Sequence, residues 1–296
     1  MEEEKKVKNL IISGGCVGGF IFYGCLKKLQ MNGDWDIHNI ENIYASSVGT
    51  IVGLMIALKY TWDELDDFLI QRPWYKILKI DISEIFNVLN NKGFYNKKLF
   101  HDAFDNLLHG KDLSPNITMK EFYEYSNIKF HIIVTNLNKM KLMDINHETY
   151  PDFPLIDAIF CSSALPLVFS PYYFENNYLC DGGFISNYPI DYCLTECKAE
   201  ETIGVGLDQN LLDLKENDEK EGLNMFSYLL MLFLNILKSY NKKVTKEKLK
   251  REIYIDTKFM DMEYTYNALF EKETRKELIQ IGIDNIEEPP LLIVNP

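Results

Sequence analysis

The run Asn9-Leu10-Ile11-Ile12-Ser13-Gly14-Gly15-Cys16-Val17-Gly18-Gly19 decides how the chain is read. It opens with a compact apolar segment of the kind that forms a strand buried on both faces. The Ser-Gly-Gly that follows ends the strand, and residues 20–30 then place Phe22, Cys25, Leu26 and Leu29 on one helical stripe. A second unit of the same kind comes next. Residues 41–44 read as a short strand, Ala45-Ser46-Ser47-Val48-Gly49 as a turn of small residues, and residues 51–60 as an apolar helix. Two successive strand–turn–helix units are the start of an α/β sheet.

The remainder of the 296 residues extends that pattern without a composition break, so a single domain is expected over residues 1–296. Residues 61–110 are mostly helical in pattern, with breaks at Pro73 and Gly93. Residues 128–137 and 141–146 read as strands joined by a polar turn. A loop rich in Pro and Ser covers residues 150–171 and holds a short helix near 155–161. Further strands are expected at 178–181, 202–207 and 252–256, an exposed acidic loop at 211–222, and helices at 223–240 and 267–281. The motif-bearing core thus spans about residues 8–207, and a helical C-terminal part about 208–296.

Charge narrows the function classes. With 31 basic against 44 acidic residues the net charge is −13, which opposes non-specific nucleic-acid binding. The six cysteines form no CxxC pair and no zinc spacing with the five histidines, so free thiols in a reducing compartment are expected. Residues 9–26 carry no charge and follow Lys5, Lys6 and Lys8. Five glycines interrupt the stretch and Glu2, Glu3 and Glu4 precede it, which opposes a signal peptide. Residues 222–237 are also charge-free but fall short of the ~20 apolar residues a spanning helix needs. The expectation is a soluble, cytoplasmic protein that touches membranes only peripherally.

Three motifs bear chemistry. The glycine run presents backbone N–H groups at a helix N-terminus, which suits either a phosphate or an oxyanion. The dinucleotide fingerprint fails because Cys16 and Val17 stand where it needs glycine, and the P-loop fails because Phe20 and Ile21 replace its Lys and Ser/Thr. Ala45-Ser46-Ser47-Val48-Gly49 fits the nucleophile elbow G-x-S-x-G, with alanine in the first position and Ser47 as the exposed hydroxyl. Taken alone, such a serine is more often a helix N-cap than a nucleophile, and the strand–turn–helix context brings the two readings level. A serine nucleophile needs a base, yet His38, His101, His109, His131 and His147 all lie outside these motifs. Asp181-Gly182-Gly183, where a strand ends, offers a carboxylate instead; its alternative is a hairpin turn.

Together the three motifs resemble the patatin-like phospholipase family, from about residue 8 to 207. Ser162-Ser163-Ala164-Leu165-Pro166 with Phe169 and Pro171, and Asn187-Tyr188-Pro189, add flanking matches. The resemblance implies a three-layer α/β/α sheet of the patatin type and hydrolysis of a carboxylic ester in a lipid by a Ser–Asp dyad, with no histidine and no metal or cofactor. Carried over residue by residue, Ser47 is the nucleophile and Asp181 the general base. The N–H groups of Gly14, Gly15 and Cys16 face the oxyanion, and Ala45, Gly49, Gly182 and Gly183 shape the turns. Gly24 is carried along as an outlying member of the glycine loop. The chain departs from the family at Cys16, which replaces the third loop glycine, at Gly18, which replaces a cation, and at Ala45, which replaces the first elbow glycine.

The implied partners are a lipid ester and, transiently, a membrane or micelle surface. Phe153, Leu165, Leu167, Val168, Phe169, Tyr172 and Tyr173 are candidates to line an acyl channel. The stripe at positions 225, 226, 229, 230, 233 and 237 reads as core, and the basic run at 242–251 as a solvated helix face. Two other readings remain open on the sequence: a lipid-binding protein without turnover, and an acyltransferase using the same dyad.

Overall fold

A computed structural model of the chain describes residues 5–78, 88–207, 249–256 and 262–287, with positions 228, 229 and 232. The expected loop at 211–222, nearly all of the expected helix at 223–240 and the basic run up to Lys248 lie outside the described residues. Arg251, the end of that run, is on a strand rather than a helix and pairs with Asp34 at 2.6 Å.

The strands are β1 (Asn9–Ile12), β2 (Asn42–Ser46), β3 (Gly93–Tyr95), β4 (Lys129–Asn136), β5 (Lys141–Ile145), β6 (Leu167–Phe169), β7 (Tyr172–Phe174), β8 (Asn177–Asp181), β9 (Thr202–Leu207) and β10 (Arg251–Ile255). The helices are α1 (Gly19–Met31), α2 (Val48–Ala57), α3 (Trp62–Gln71), α4 (Trp74–Ile77), α5 (Val88–Asn91), α6 (Lys98–His109), α7 (Met119–Ser126), α8 (Leu155–Ser163), α9 (Ile190–Glu196), α10 (Met262–Phe270) and α11 (Lys272–Asp284). The expected single helix at 267–281 is therefore two, divided at Glu271, which caps α11.

The main sheet has eight strands in the order β10-β9-β1-β2-β4-β8-β7, with β5 added to β4. From β10 to β4 every pair is parallel. A parallel sheet is buried on both faces, which is why β1, β4 and β9 read as near-continuous apolar runs. The period of two then sorts the side chains. Leu10, Ile12, Ile43, Ala45, Ile132 and Val134 join the large core beneath the helices. Ile11 and Tyr44 point to the opposite face, where Ile190 and Cys193 of α9 cover them. Helices on both faces of a central sheet match the expected layered α/β/α class, with unequal layers.

Register along β4 makes the site. Residues 132 and 133 pair with both β2 and β5, and residues 134–136 with both β5 and β8. A strand has two edges, so β2 and β8 must share one edge of β4. β2 runs parallel to β4 and β8 antiparallel, so the two strands approach each other end to end. Ser46 pairs with Ile133 and Asp181 with Val134.

Gly24 does not belong to the glycine loop. It sits inside α1, where an added Cβ would lie 2.1 Å from the Ile279 carbonyl; Gly282 of α11 meets the Ile21 carbonyl at 2.2 Å in the same way. These two glycines let α1 and α11 cross in backbone contact, which joins the chain end to the first helix.

Candidate active site

Ser47 follows β2 and occupies the N-cap of α2 with φ 52° and ψ −131°. That conformation is strained for a residue with a Cβ, as expected of an elbow that pushes its hydroxyl outward. Gly49 allows the sharp turn because a Cβ there would sit 2.4 Å from the Ile12 carbonyl, and Ala45 is fully buried in β2. The positive end of α2 lies against Ser47.

Asp181 ends β8 and is 5% exposed. Its Oδ2 accepts the Ser47 hydroxyl at 2.7 Å, and its Oδ1 accepts the Gly183 amide at 2.7 Å. Burial pushes its carboxyl up from 3.8 to about 6, because desolvation disfavours the charged form; the bonds from Ser47 and Gly183 offset this only in part. Gly182 is obligatory for space, since a Cβ would lie 2.1 Å from the Ile133 carbonyl.

The glycine loop abuts the elbow because β1 and β2 are neighbours. Gly15 and Cys16 line the same cavity as Ser47 and Asp181. Gly14 does not serve as expected: its N–H donates to the Asn187 carbonyl at 2.9 Å. Asn187 holds the loop from both sides, its Nδ2 donating to the Gly14 carbonyl at 3.0 Å and to Ser13 Oγ at 3.2 Å. These bonds anchor the loop at Gly14 without a charged side chain. Cys16 has φ 51°, the left-handed region where glycine is the easier residue, so its Cβ sits in strain.

A cavity of about 380 Å³ opens beside Ser47 and Asp181. Of the residues expected to line it, Leu165 and Phe169 do. Phe153 is in the core, Tyr173 is solvent-exposed, and Leu167, Val168 and Tyr172 also lie outside the lining. The walls come instead from the helices. Val48, Ile51, Val52 and Met55 form an i, i+3, i+4, i+7 stripe on α2 that leads directly away from Ser47. Leu99, Phe100, Ala103 and Phe104 of α6 face it. Both stripes were legible as helix periodicity, but only the elbow's position shows that α2 must be a wall. Ser163, 8% exposed, also lines the cavity, and its hydroxyl has no partner among the described residues.

Among the described residues, which include all five histidines, no histidine lines the cavity. His131 lies on the face of β4 opposite the large core, stacked on Tyr44 at 3.9 Å and bonded to Asp144 at 2.6 Å. His101 bridges Asp105 and Asp157, and His147 stacks on Tyr123. No local pattern marks Asp157, which is 3% exposed and accepts from Lys97, His101 and Tyr172. Among the described residues no helix is long and apolar enough to cross a membrane.

A family model described as patatin-like phospholipase matches residues 10–194. An uncharacterized protein of Acanthamoeba polyphaga mimivirus is 25% identical over 99% of this chain and 96% of its own length. A protein of Invertebrate iridescent virus 6 described as a probable lipid hydrolase is 26% identical over 64% of each chain. Among solved structures, VipD of Legionella pneumophila has a TM-score of 0.45 and 15% identity, covering 96% of this chain and 67% of that one. ExoU of Pseudomonas aeruginosa in complex with SpcU has a TM-score of 0.43 and 13% identity, covering 95% and 53%. This chain thus spans about half the length of the ExoU chain.

Proposed function

Because the chain belongs to the patatin-like phospholipase family, we propose that it is a lipid acyl hydrolase of the phospholipase A or lysophospholipase type, acting through a Ser47–Asp181 dyad and an acyl-enzyme. The observation that carries this reading is the 2.7 Å bond from the Ser47 hydroxyl to a buried aspartate at the head of an apolar cavity. A carboxyl raised to about 6 is largely ionised at neutral pH yet basic enough to accept a proton from serine as the new bond forms.

Ser47 Oγ attacks the ester carbonyl carbon while its proton passes to Asp181 Oδ2. The oxyanion is met by the N–H groups of Gly15 and Cys16, aided by the positive end of α2; Gly14 only anchors the loop. One such donor is worth about 10²–10³-fold in kcat. Collapse breaks the ester C–O bond, and the departing alkoxide takes the proton from Asp181. Water then attacks the acyl-enzyme, giving its proton to Asp181, and collapse returns that proton to Ser47 with release of the fatty acid. The α2 and α6 stripes receive the acyl chain.

The test is fatty-acid release from phosphatidylcholine and lysophosphatidylcholine micelles, with Ser47→Ala as control. Release by wild type and none by Ser47→Ala supports the reading. Lipid binding without release, or release that persists in Ser47→Ala, overturns it.

A further inference from the structure

One buried side chain joins the Ser47 backbone to β4. Ser162, near the end of α8, is fully buried. Its Oγ accepts the Ser47 backbone N–H at 3.0 Å and donates to the Ile133 carbonyl at 2.6 Å. Both partners matter. Ile133 pairs with Ser46 at the end of β2, and the next residue, Val134, pairs with Asp181. The Ile133 carbonyl also lies directly under Gly182, the residue after the aspartate. A single hydroxyl therefore links the nucleophile's amide to the point on β4 where the two strands meet.

The bond also bears on strain. Ser47 has a positive φ, a conformation that persists only where the surroundings over-determine it. As the N-cap residue of α2 its amide has no partner within the helix, and buried amides need one. Such pairing is not automatic for serines in this region, because the buried hydroxyls of Ser46 and Ser163 have no partner among the described residues.

We propose that Ser162 is a positioning residue that holds the Ser47 amide and so fixes the strained elbow and the distance from Ser47 Oγ to Asp181. The proposal rests on Ser47 being the nucleophile. Ser162 touches no substrate and takes no proton in the reaction. Its loss lets the elbow relax and the hydroxyl drift from the carboxylate, and misplacement by about 1 Å can cost about 10²-fold.

The test is steady-state kinetics of fatty-acid release from lysophosphatidylcholine, against pH, for wild type, Ser162→Ala, Ser162→Thr and Ser47→Ala, with thermal melts alongside. In Ser162→Ala, kcat is expected to fall about 10- to 100-fold with KM within about twofold. Its acid limb should move above that of wild type, because the Ser47 bond that holds the Asp181 carboxyl down is weakened. Ser162→Thr keeps the hydroxyl, so its acid limb should stay with wild type whatever the extra methyl does to stability. If the alanine variant fails to fold, the threonine limb and rate decide alone. A Ser162→Ala enzyme with unchanged kcat, one whose loss only follows its folded fraction with an unmoved limb, or a threonine variant whose limb moves overturns the proposal. Retained activity in Ser47→Ala would instead remove the nucleophile reading beneath it.

Discussion

Asp157 and Asp181 are buried to nearly the same depth, 3% and 5% exposed, yet their carboxyls are driven in opposite directions. At Asp157 burial pushes the pKa up, but hydrogen bonds from Lys97, Tyr172 and His101 and the charge of Lys97 outweigh it and hold the carboxyl below 3.8. At Asp181 burial wins, and the carboxyl rises to about 6 against only a serine hydroxyl and a backbone amide. The difference is the cation. A buried carboxylate beside Lys97 stays charged and ties α8 to α6, with Lys97 at 2.8 Å. One with neutral donors alone titrates near neutrality and can take and return a proton.

That contrast breaks most plainly in activity. Asp181→Asn should lower fatty-acid release by about 10⁴-fold, while Asp157→Asn should leave kcat of the folded enzyme within a few-fold. Parallel kinetics on the two variants check this, and equal losses would erase the distinction.

Stability should diverge with opposite sign. The native state keeps the Asp181 proton up to about pH 6, whereas the unfolded chain loses it near 3.8. Its contribution is therefore fully present below 3.8 and is lost as pH rises through about 6, a swing of up to about 3 kcal/mol for about two pKa units. Asp181→Asn should accordingly be more stable than wild type at pH 8 and lose that advantage by pH 4. Asp157 works the other way: its contribution is present above 3.8 and is lost as pH falls further. Asp157→Asn should cost about 1–3 kcal/mol at pH 7, narrowing in acid. Denaturant melts at pH 4 and pH 8 separate the two.

The neighbours of the dyad sharpen the comparison with smaller effects. Asn187→Ala removes two side-chain bonds to Ser13 and Gly14 and should lower kcat about tenfold, with KM little changed. Cys16→Gly relieves a left-handed φ but loosens the unfolded chain, so a net stability gain below about 1 kcal/mol is expected, with activity equal or higher. A clear loss of activity would mean that the thiol itself is needed.

Sequence patterns located the elements that carry their own signal. β1, β2, β4, β5, β8 and β9 appear within a few residues of where apolar runs and turn residues put them. The three-residue strands β3, β6 and β7 are too short to show a period. Helix α7 is marked in the sequence only by the Thr-x-x-Glu spacing of Thr118 and Glu121, which form a capping box. Ser47 and Asp181 were legible through their motifs and a family resemblance. Their meeting was not, because it depends on two distant strands sharing one edge of β4. The same holds for Ser162 bridging β4 and the elbow, for Asn187 clamping the loop, and for Asp157 finding Lys97. Each is a contact between residues far apart in the chain, fixed by tertiary packing rather than by local pattern.

The most direct measurement is the pH dependence of fluorophosphonate labelling, read by peptide mapping, for wild type and Asp181→Asn. The account predicts stoichiometric labelling at Ser47, with a rate that rises through about pH 6 in wild type and is slow and flat in Asp181→Asn. Labelling at another residue, or equal rates in the two proteins at every pH, would contradict it.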